Sequence, residues 1–438
     1  MKQLAHGGRI LTALRARHAA ALMGVAAVAA GVALSGGSGS AAAAATAAAT
    51  KCGQDPSTFA AIPNNDPDHV LSSLSPAAQS RYVNWAGPVA STPWATFKGK
   101  KGPWKIGFIT FPLTSPYNVD LVNEMKREFA LAKKAGLVTG SLKLYVQPSI
   151  ATATPEQQIA AIQQMVAAGV NGIMILPLAG QPLAPAIDAA GKAGVPVVVV
   201  DNDIPNSKYV VNIFDDKQTP ANAIEAGRIK TGNVLVVRGL AGNSVEQPIE
   251  NGTVAVINSC PGLKTVGTIF GSWSAPAAKV AVTSWIAAHP GVKVNLVLQN
   301  GAMMAGIIGA FQSAGVPVPP IADGGCQGGD LSWWLAHKST YSTVGTCNSG
   351  FQTAYTAIQV LFRILGGRGL KIRDIAVTAP VVTNSNVAQY ATPGKALTWS
   401  GEPRGPLDAR CGTVSCLNGF FKKPGTPGSF LANDSSQS

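Results

Sequence analysis

Charge is scarce in this chain of 438 residues: Asp, Glu, Lys and Arg together make up 13%, against 46% hydrophobic residues. Such a balance excludes a largely disordered, solvated chain and gives enough length for a large core divided over two domains. Histidine is scarcer still, five in all, and two of these, His6 and His18, fall in the N-terminal leader. Of the others, His289 sits in AAHPG at a helix end and His337 follows the paired tryptophans of SWWLAHKS. Those are places for capping or surface histidines rather than for general bases. Also missing are a GxSxG elbow, a P-loop, a GxGxxG after a strand and an HExxH pair. No CxxC or HxxxH spacing offers a zinc site. The expectation is therefore a protein that is not an enzyme and carries no cofactor and no metal.

What charge there is leans positive, with 34 Lys and Arg against 21 Asp and Glu. Part of the excess is local. Lys2, Arg9, Arg15 and Arg17 precede an apolar run, AALMGVAAVAAGVAL (20–34), and then an Ala/Gly/Ser tract to residue 50. That order describes a secretory signal peptide. The run is too short and alanine-rich for a membrane span of about 20 residues. The rest of the excess is spread along the chain, which gives no footprint for nucleic acid. Cys52 follows the tract, but Lys51 stands where a lipoprotein signal wants a small residue, so a cleaved, exported product without a lipid anchor is expected. The six cysteines are an even number in an exported chain, which points to disulfides whose pairing the sequence leaves open.

Residues 51–103 are rich in Pro, Ser, Ala and Asn and read as an N-terminal extension with one helix, LSPAAQSRYVNWAG (74–87). From Trp104 a regular alternation begins. KIGFITF, SLKLYV, NGIMILP, VPVVVVD and YVVNI read as strands, separated by segments with apolar residues at helical spacing. TPEQQIAAIQQMVAAG is the clearest helix, with Thr154 as cap, Pro155 in first position and Gly169 as stop. A second set follows: NVLVVRG, VGTIFG, VNLVLQN, PPIAD and YSTVGT. Short connections between parallel strands imply right-handed crossovers, and hence two parallel α/β units in tandem. Beyond Tyr390 the composition turns to Pro, Gly and Ser around CGTVSC (411–416).

In such units ligands sit beyond the carboxyl ends of the strands. At those ends stand Ser115, Tyr117 and Asn118, then Asp201, Asn202 and Asp203, and in the second unit Trp273, Asn300 and Asp323. Singly, Asp or Asn after a strand is commonly a cap or turn former. Together, carboxylates and amides with aromatic rings, and no nucleophile–base pair, suit a neutral polyhydroxylated ligand. Oxygens accept hydroxyl protons, amide N–H groups donate, and rings stack on C–H faces.

The segments SPYNVDLVNEMKREFALAKKAG, VNGIMILP, GVPVVVVDND, VVRGLAGNS, LVLQNGAMMAGIIGAFQSAG and IADGG, in this order, resemble the type I periplasmic sugar-binding proteins of ABC importers, the ribose/galactose-binding family, over about Trp104 to Asn386. The resemblance implies two Rossmann-like parallel-sheet lobes joined by a three-crossing hinge. Its crossings would lie near Phe214, near Cys347 to Ser349 and near Thr378 to Thr383. Lobe 1 would be 104–214 with 348–378, lobe 2 would be 215–347 with 379–390, and 391–438 a tail.

It implies ligand contacts from Ser115, Tyr117, Asn118, Asp201, Asn202, Gln247, Trp273, Asn300, Asp323 and Thr346. It also implies a monomeric receptor closing on a small, carbohydrate-like ligand and docking an ABC permease. A sensor docking a membrane signalling protein, or a receptor for a nucleoside or aromatic ligand, is the alternative. A LacI-type repressor would need a helix-turn-helix before Trp104, where this chain has a leader and an extension. Cys326 and Cys347 follow neighbouring strands of that fold and form one candidate bridge, and Cys411 with Cys416 a second; Cys52 and Cys260 remain over.

Two departures from the family pattern stand out. Asn202 occupies the place of an arginine, and GNSVEQPIENG offers Glu246, Gln247 and Glu250 where another is usual. Each lost guanidinium fork removes charge-assisted bonds of about 1.5–3 kcal/mol.

Overall fold

The computed structural model describes residues 52–54, 66–82, 89–401 and 417–425, apart from 114, 150–151, 202–203, 205, 215–218, 242, 244–245, 348 and 378. The leader, Asn202 and the pair Cys411 and Cys416 lie outside the described residues.

The chain alternates strand and helix from Ile106 onward. In order come β1 (Ile106–Thr110), α1 (Pro116–Lys134), β2 (Lys143–Val146), α2 (Pro155–Ala167), β3 (Gly172–Ile175), α3 (Gly180–Lys192), β4 (Val197–Val200) and β5 (Val210–Phe214). After these follow α4 (Thr219–Ile229), β6 (Thr231–Arg238), α5 (Glu246–Ser259), β7 (Gly262–Phe270), α6 (Ala275–Ala288), β8 (Leu296–Gln299), α7 (Met304–Ser313), β9 (Ile321–Ala322) and α8 (Gly328–His337). The series closes with β10 (Gly345–Thr346), α9 (Gly350–Leu365), β11 (Asp374–Ala376) and β12 (Val381–Val382).

Two parallel sheets result. The first has six strands in the order β11-β5-β4-β3-β1-β2, the second four in the order β7-β6-β8-β9, and β10 with β12 forms a small antiparallel ribbon. The valine run 197–200 is buried at every position, as a strand covered on both faces must be. β11 returns to pair in parallel with β5, so the chain re-enters the first sheet after completing the second. The architecture is the doubly wound two-lobed α/β fold expected from the alternation.

Local chemistry sets several boundaries. Ser115 Oγ accepts from the Asn118 N–H at 3.2 Å and starts α1, with Pro116 in its first position. The Thr154 N–H donates to Gln157 Oε1 at 3.3 Å at the start of α2, and Gly169 ends that helix's turn at φ 72°. Three elements differ from their sequence pattern. The expected strand 341–346 is strand only at Gly345–Thr346, which pairs antiparallel with β12 instead of joining the second parallel sheet. β7 starts at Gly262, before the expected 266–271, because GLKT pairs residue by residue with 231–234 of β6. The stretch 74–87 gives only a helical turn at Pro76–Gln79 and a 3-10 turn at Ser80–Tyr82 before its described part ends. There the chain follows its packing instead: Tyr82 is fully buried, and its hydroxyl donates to the Asp374 carbonyl of β11 and accepts from the Ala376 N–H.

The extension covers the first lobe. Leu74, Tyr82, Val89 and Trp94 join its core, and the Trp94 indole N–H donates to the Tyr209 carbonyl at 2.8 Å. Leu417, Phe420 and Phe421 close the same core from the other end of the chain. Two disulfides are present among the described residues, Cys52–Cys260 and Cys326–Cys347. The first ties the start of the extension to the end of α5, and the second is the bridge expected between loops of neighbouring strands.

Candidate functional site

Among the described residues, six non-glycine positions have left-handed backbone, and four of them lie in loops that leave strands: Asp201 (φ 61°) directly after β4, Ser272 (φ 55°) and Trp273 (φ 49°) shortly after β7, and Cys326 (φ 46°) after β9. Each such residue costs about 1–2 kcal/mol, and strain of this kind gathers where geometry serves a function. Asp tolerates the conformation best among them, since its short side chain can bond locally. Asp201 turns the chain out of the sheet at its carboxyl edge, half-buried.

On the first lobe, Ser115 and Asn118 carry local duties. Ser115 caps α1, while Asn118 Nδ2 donates to the Pro112 carbonyl at 3.2 Å and its side chain is buried. Tyr117 stands between them, half-buried against the first core. Its carbonyl lies so near the start of α9 that a Cβ on Gly350 would come within 2.3 Å of it, which explains the glycine there. α1 and α9 therefore meet at their N-termini on the same edge as Asp201's strand.

On the second lobe the structure joins residues that the sequence leaves separate. The Trp273 indole N–H donates to Asn300 Oδ1 at 2.9 Å, and Asn300 Nδ2 to Glu246 Oε1 at 3.5 Å. Glu246 also accepts from Arg238 Nε at 3.0 Å and from the Gly239 N–H at 2.9 Å. Arg238 Nη2 reaches Glu250 at 2.6 Å, and its guanidinium lies 4.8 Å above the Phe270 ring. Burial pushes the Glu246 carboxyl upward, opposed by its bonds to Arg238 and Gly239. The indole is wedged between two glycine backbones: a Cβ on Gly239 would fall 2.1 Å, and one on Gly301 2.7 Å, from its ring atoms. Trp273 and Asn300 are thereby presented as one rigid unit.

Asp323, fully buried, accepts from Gly325 N–H (3.0 Å), Cys326 N–H (3.2 Å) and Gln299 Nε2 (3.2 Å) on one oxygen, Oδ1. Burial raises its carboxyl well above the ordinary range, and Asp330, buried in the first turn of α8, is raised by burial and by the charge of Asp323. Thr346 accepts the Ala221 N–H at 3.0 Å and so caps the start of α4, while its own N–H bonds the Asp323 carbonyl at 2.8 Å. Gln247 lies in the first turn of α5.

Residue reading missed Arg238, its pairing with Glu246 and Glu250, and Asp330. A signal for Arg238 was present, a lone cation closing an apolar strand just before glycine in VVRG. Its partners are 8 and 12 residues downstream, and only the β6–α5 turn brings them back. Among the described residues no group of three His, Cys, Asp or Glu is placed to hold a metal ion, and no helix is long and apolar enough to cross a membrane.

Comparison with known proteins gives the same architecture. The chain is 23% identical over 236 residues to a xylitol-binding protein of Mycolicibacterium smegmatis, covering 52% of this chain and 66% of that one. It is 28% identical over 184 residues to a galactofuranose-binding protein of Escherichia coli, covering 40% of this chain and 58% of that one. Among solved structures, an ABC transporter solute-binding protein of Thermobispora bispora superposes with a TM-score of 0.60 at 23% identity, covering 68% of this chain and 91% of the other. A myo-inositol-binding protein of Caulobacter superposes at 0.55 and 19% identity, covering 66% and 96%. The family described as periplasmic binding protein domain matches residues 106–369, more than half of the sequence, and the chain belongs to that family.

Proposed function

We propose that this protein is an exported solute receptor that binds a small neutral sugar or polyol between its two lobes and delivers it to an ABC permease. The observation that carries the reading is the left-handed placement of Asp201 and Trp273 at the carboxyl edges of the two sheets, with Trp273 locked to Asn300. A carboxylate on one lobe accepts ligand hydroxyl protons, and an indole on the other stacks on the C–H face of the ring. Arg238, the guanidinium of the second-lobe network, is paired with two carboxylates, which favours an uncharged ligand over an anionic one. Relatives described as binding xylitol and galactofuranose, and structural neighbours holding myo-inositol and D-allose, fall in the same chemical class. Function then lies in closure: ligand contacts from both lobes favour the closed over the open state.

The domain boundaries follow the same reading, with 104–214 and 348–378 in one lobe and 215–347 and 379–390 in the other. So does the set of contact residues, in which Ser115 and Asn118 serve mainly to shape the loop that carries Tyr117, and Thr346 to cap α4 and bond the Asp323 backbone. Thermal unfolding against a panel of pentoses, hexoses, furanoses and polyols tests it. A ligand at a hundred times its dissociation constant adds about 2.7 kcal/mol, a shift of several degrees. The shift is expected with one compound and to vanish in Asp201→Ala. A panel that moves nothing, or a shift kept in Asp201→Ala, rejects the assignment.

A further inference from the structure

α9 carries a polar face far from the strand ends. Thr356, Gln359 and Arg363 lie at spacings of three and four, on one side of the helix, and none is more than 1% exposed. Thr356 Oγ1, Gln359 Nε2, Arg363 Nε and Arg363 Nη2 have no hydrogen-bond partner among the described residues. Arg363 Nη1 is held by Gln359, through its carbonyl at 3.3 Å and its Oε1 at 3.5 Å. That hold leaves the Nε/Nη2 edge of the guanidinium unbonded, the edge on which two N–H bonds run side by side and match the two oxygens of a carboxylate or phosphate. The same hold turns the Gln359 amide so that Oε1 is spent and the Nε2 donor is left.

No carboxylate answers Arg363 among the described residues. Tyr355 favours its charged form, Arg368 is a second cation that opposes it, and the Phe421 ring from the C-terminal segment lies 5.8 Å from Cζ. Burial lowers the guanidinium only to about 10, so it stays charged at neutral pH. A buried cation left without an anion is strongly unfavourable, and buried charges are found paired.

We propose that the Thr356–Gln359–Arg363 face of α9, covered by Phe421, is a buried oxyanion site. Arg363 grips two oxygens through Nε and Nη2, and Gln359 Nε2 and the Thr356 hydroxyl donate to the anion from the neighbouring turns. The site is independent of the sugar reading, since it lies under the C-terminal segment and shares no residue with the strand-end set.

The test uses the full chain, unfolded in guanidinium chloride and refolded into chloride buffer so that no other anion is carried over. Melting is then followed at fixed pH and ionic strength as chloride is replaced by inorganic phosphate or by acetate. The expected result is a saturable rise of a few degrees with one of the two, which also distinguishes a phosphate from a carboxylate site. Arg363→Met is expected to abolish the rise, and Arg363→Lys, which keeps the charge without the parallel fork, to cut it at least several-fold. A flat response of the wild type to both anions, or an equal rise in Arg363→Met, overturns the proposal. If Arg363→Met fails to fold, the contrast between wild type and Arg363→Lys decides by the same criterion.

Discussion

The two lobes share a plan and differ in how they meet solvent. The first has six strands, and its helix α9 is buried at all sixteen positions, because extension residues Leu74, Tyr82 and Trp94 and tail residues Leu417, Phe420 and Phe421 close over that lobe. The second has four strands and ends in β7, whose free edge leaves Phe270 42% exposed. On the first lobe the added chain turns a surface helix into a core helix, and its polar residues came with it, whereas on the second lobe the segment after Tyr390 borders the start of α8, through the Gly401 and Trp399 carbonyls. The contrast teaches that burial here is made by segments distant in sequence, while the strand-end edge is made by loops next to their strands.

The anchor of the extension gives the largest way to break the contrast. Cys52 and Cys260 are 208 residues apart and join the extension's start to the second lobe, so replacing both by serine removes the cross-link between that lobe and the extension. The loss expected from chain entropy is up to about 5 kcal/mol, read by denaturant unfolding. A loss below about 1 kcal/mol would show that the extension holds by packing alone.

Next comes Tyr82→Ala against Phe270→Ala. Tyr82 is fully buried and bonded to β11 at both ends of its hydroxyl, so its truncation is expected to cost about 3–5 kcal/mol. Phe270 touches Arg238 but faces water, and its truncation is expected to cost at most about 1 kcal/mol. Equal costs would erase the distinction between a wrapped and an open lobe.

The smallest effect concerns pH in the second lobe. Burial holds the Asp323 carboxyl at about 6, above its unfolded value of 3.8, with Asp330 raised beside it. A group that binds its proton more tightly when folded stabilises fully below pH about 4, and that contribution is lost as pH rises toward about 6. Asp330→Asn removes one of the two carboxyls and is expected to flatten this fall and raise the melting point at neutral pH by a few degrees. An unchanged profile would mean the two carboxyls do not share their environment.

Much of this was legible in the sequence, for physical reasons that can be named. Strands β1, β3, β4 and β8 are continuous apolar runs because both faces are covered, and their ends mark the ligand edge by topology alone. Asp201, Trp273 and Asn300 could thus be placed without coordinates. What stayed hidden depends on long-range pairing. The stretch Gly262–Thr265 that begins β7, with no run of apolar residues, becomes strand because β6 is there to bond it. The salt bridges of Arg238 need the β6–α5 turn, and the complete burial of α9 needs both chain ends.

That burial also bears on how freely the sequence can vary. A helix with a wet face offers positions where almost any residue will do. α9 offers none: a change at any of its sixteen residues must be absorbed by the sheet, by α1, by the extension or by the tail. It is therefore the stretch of this protein least able to drift.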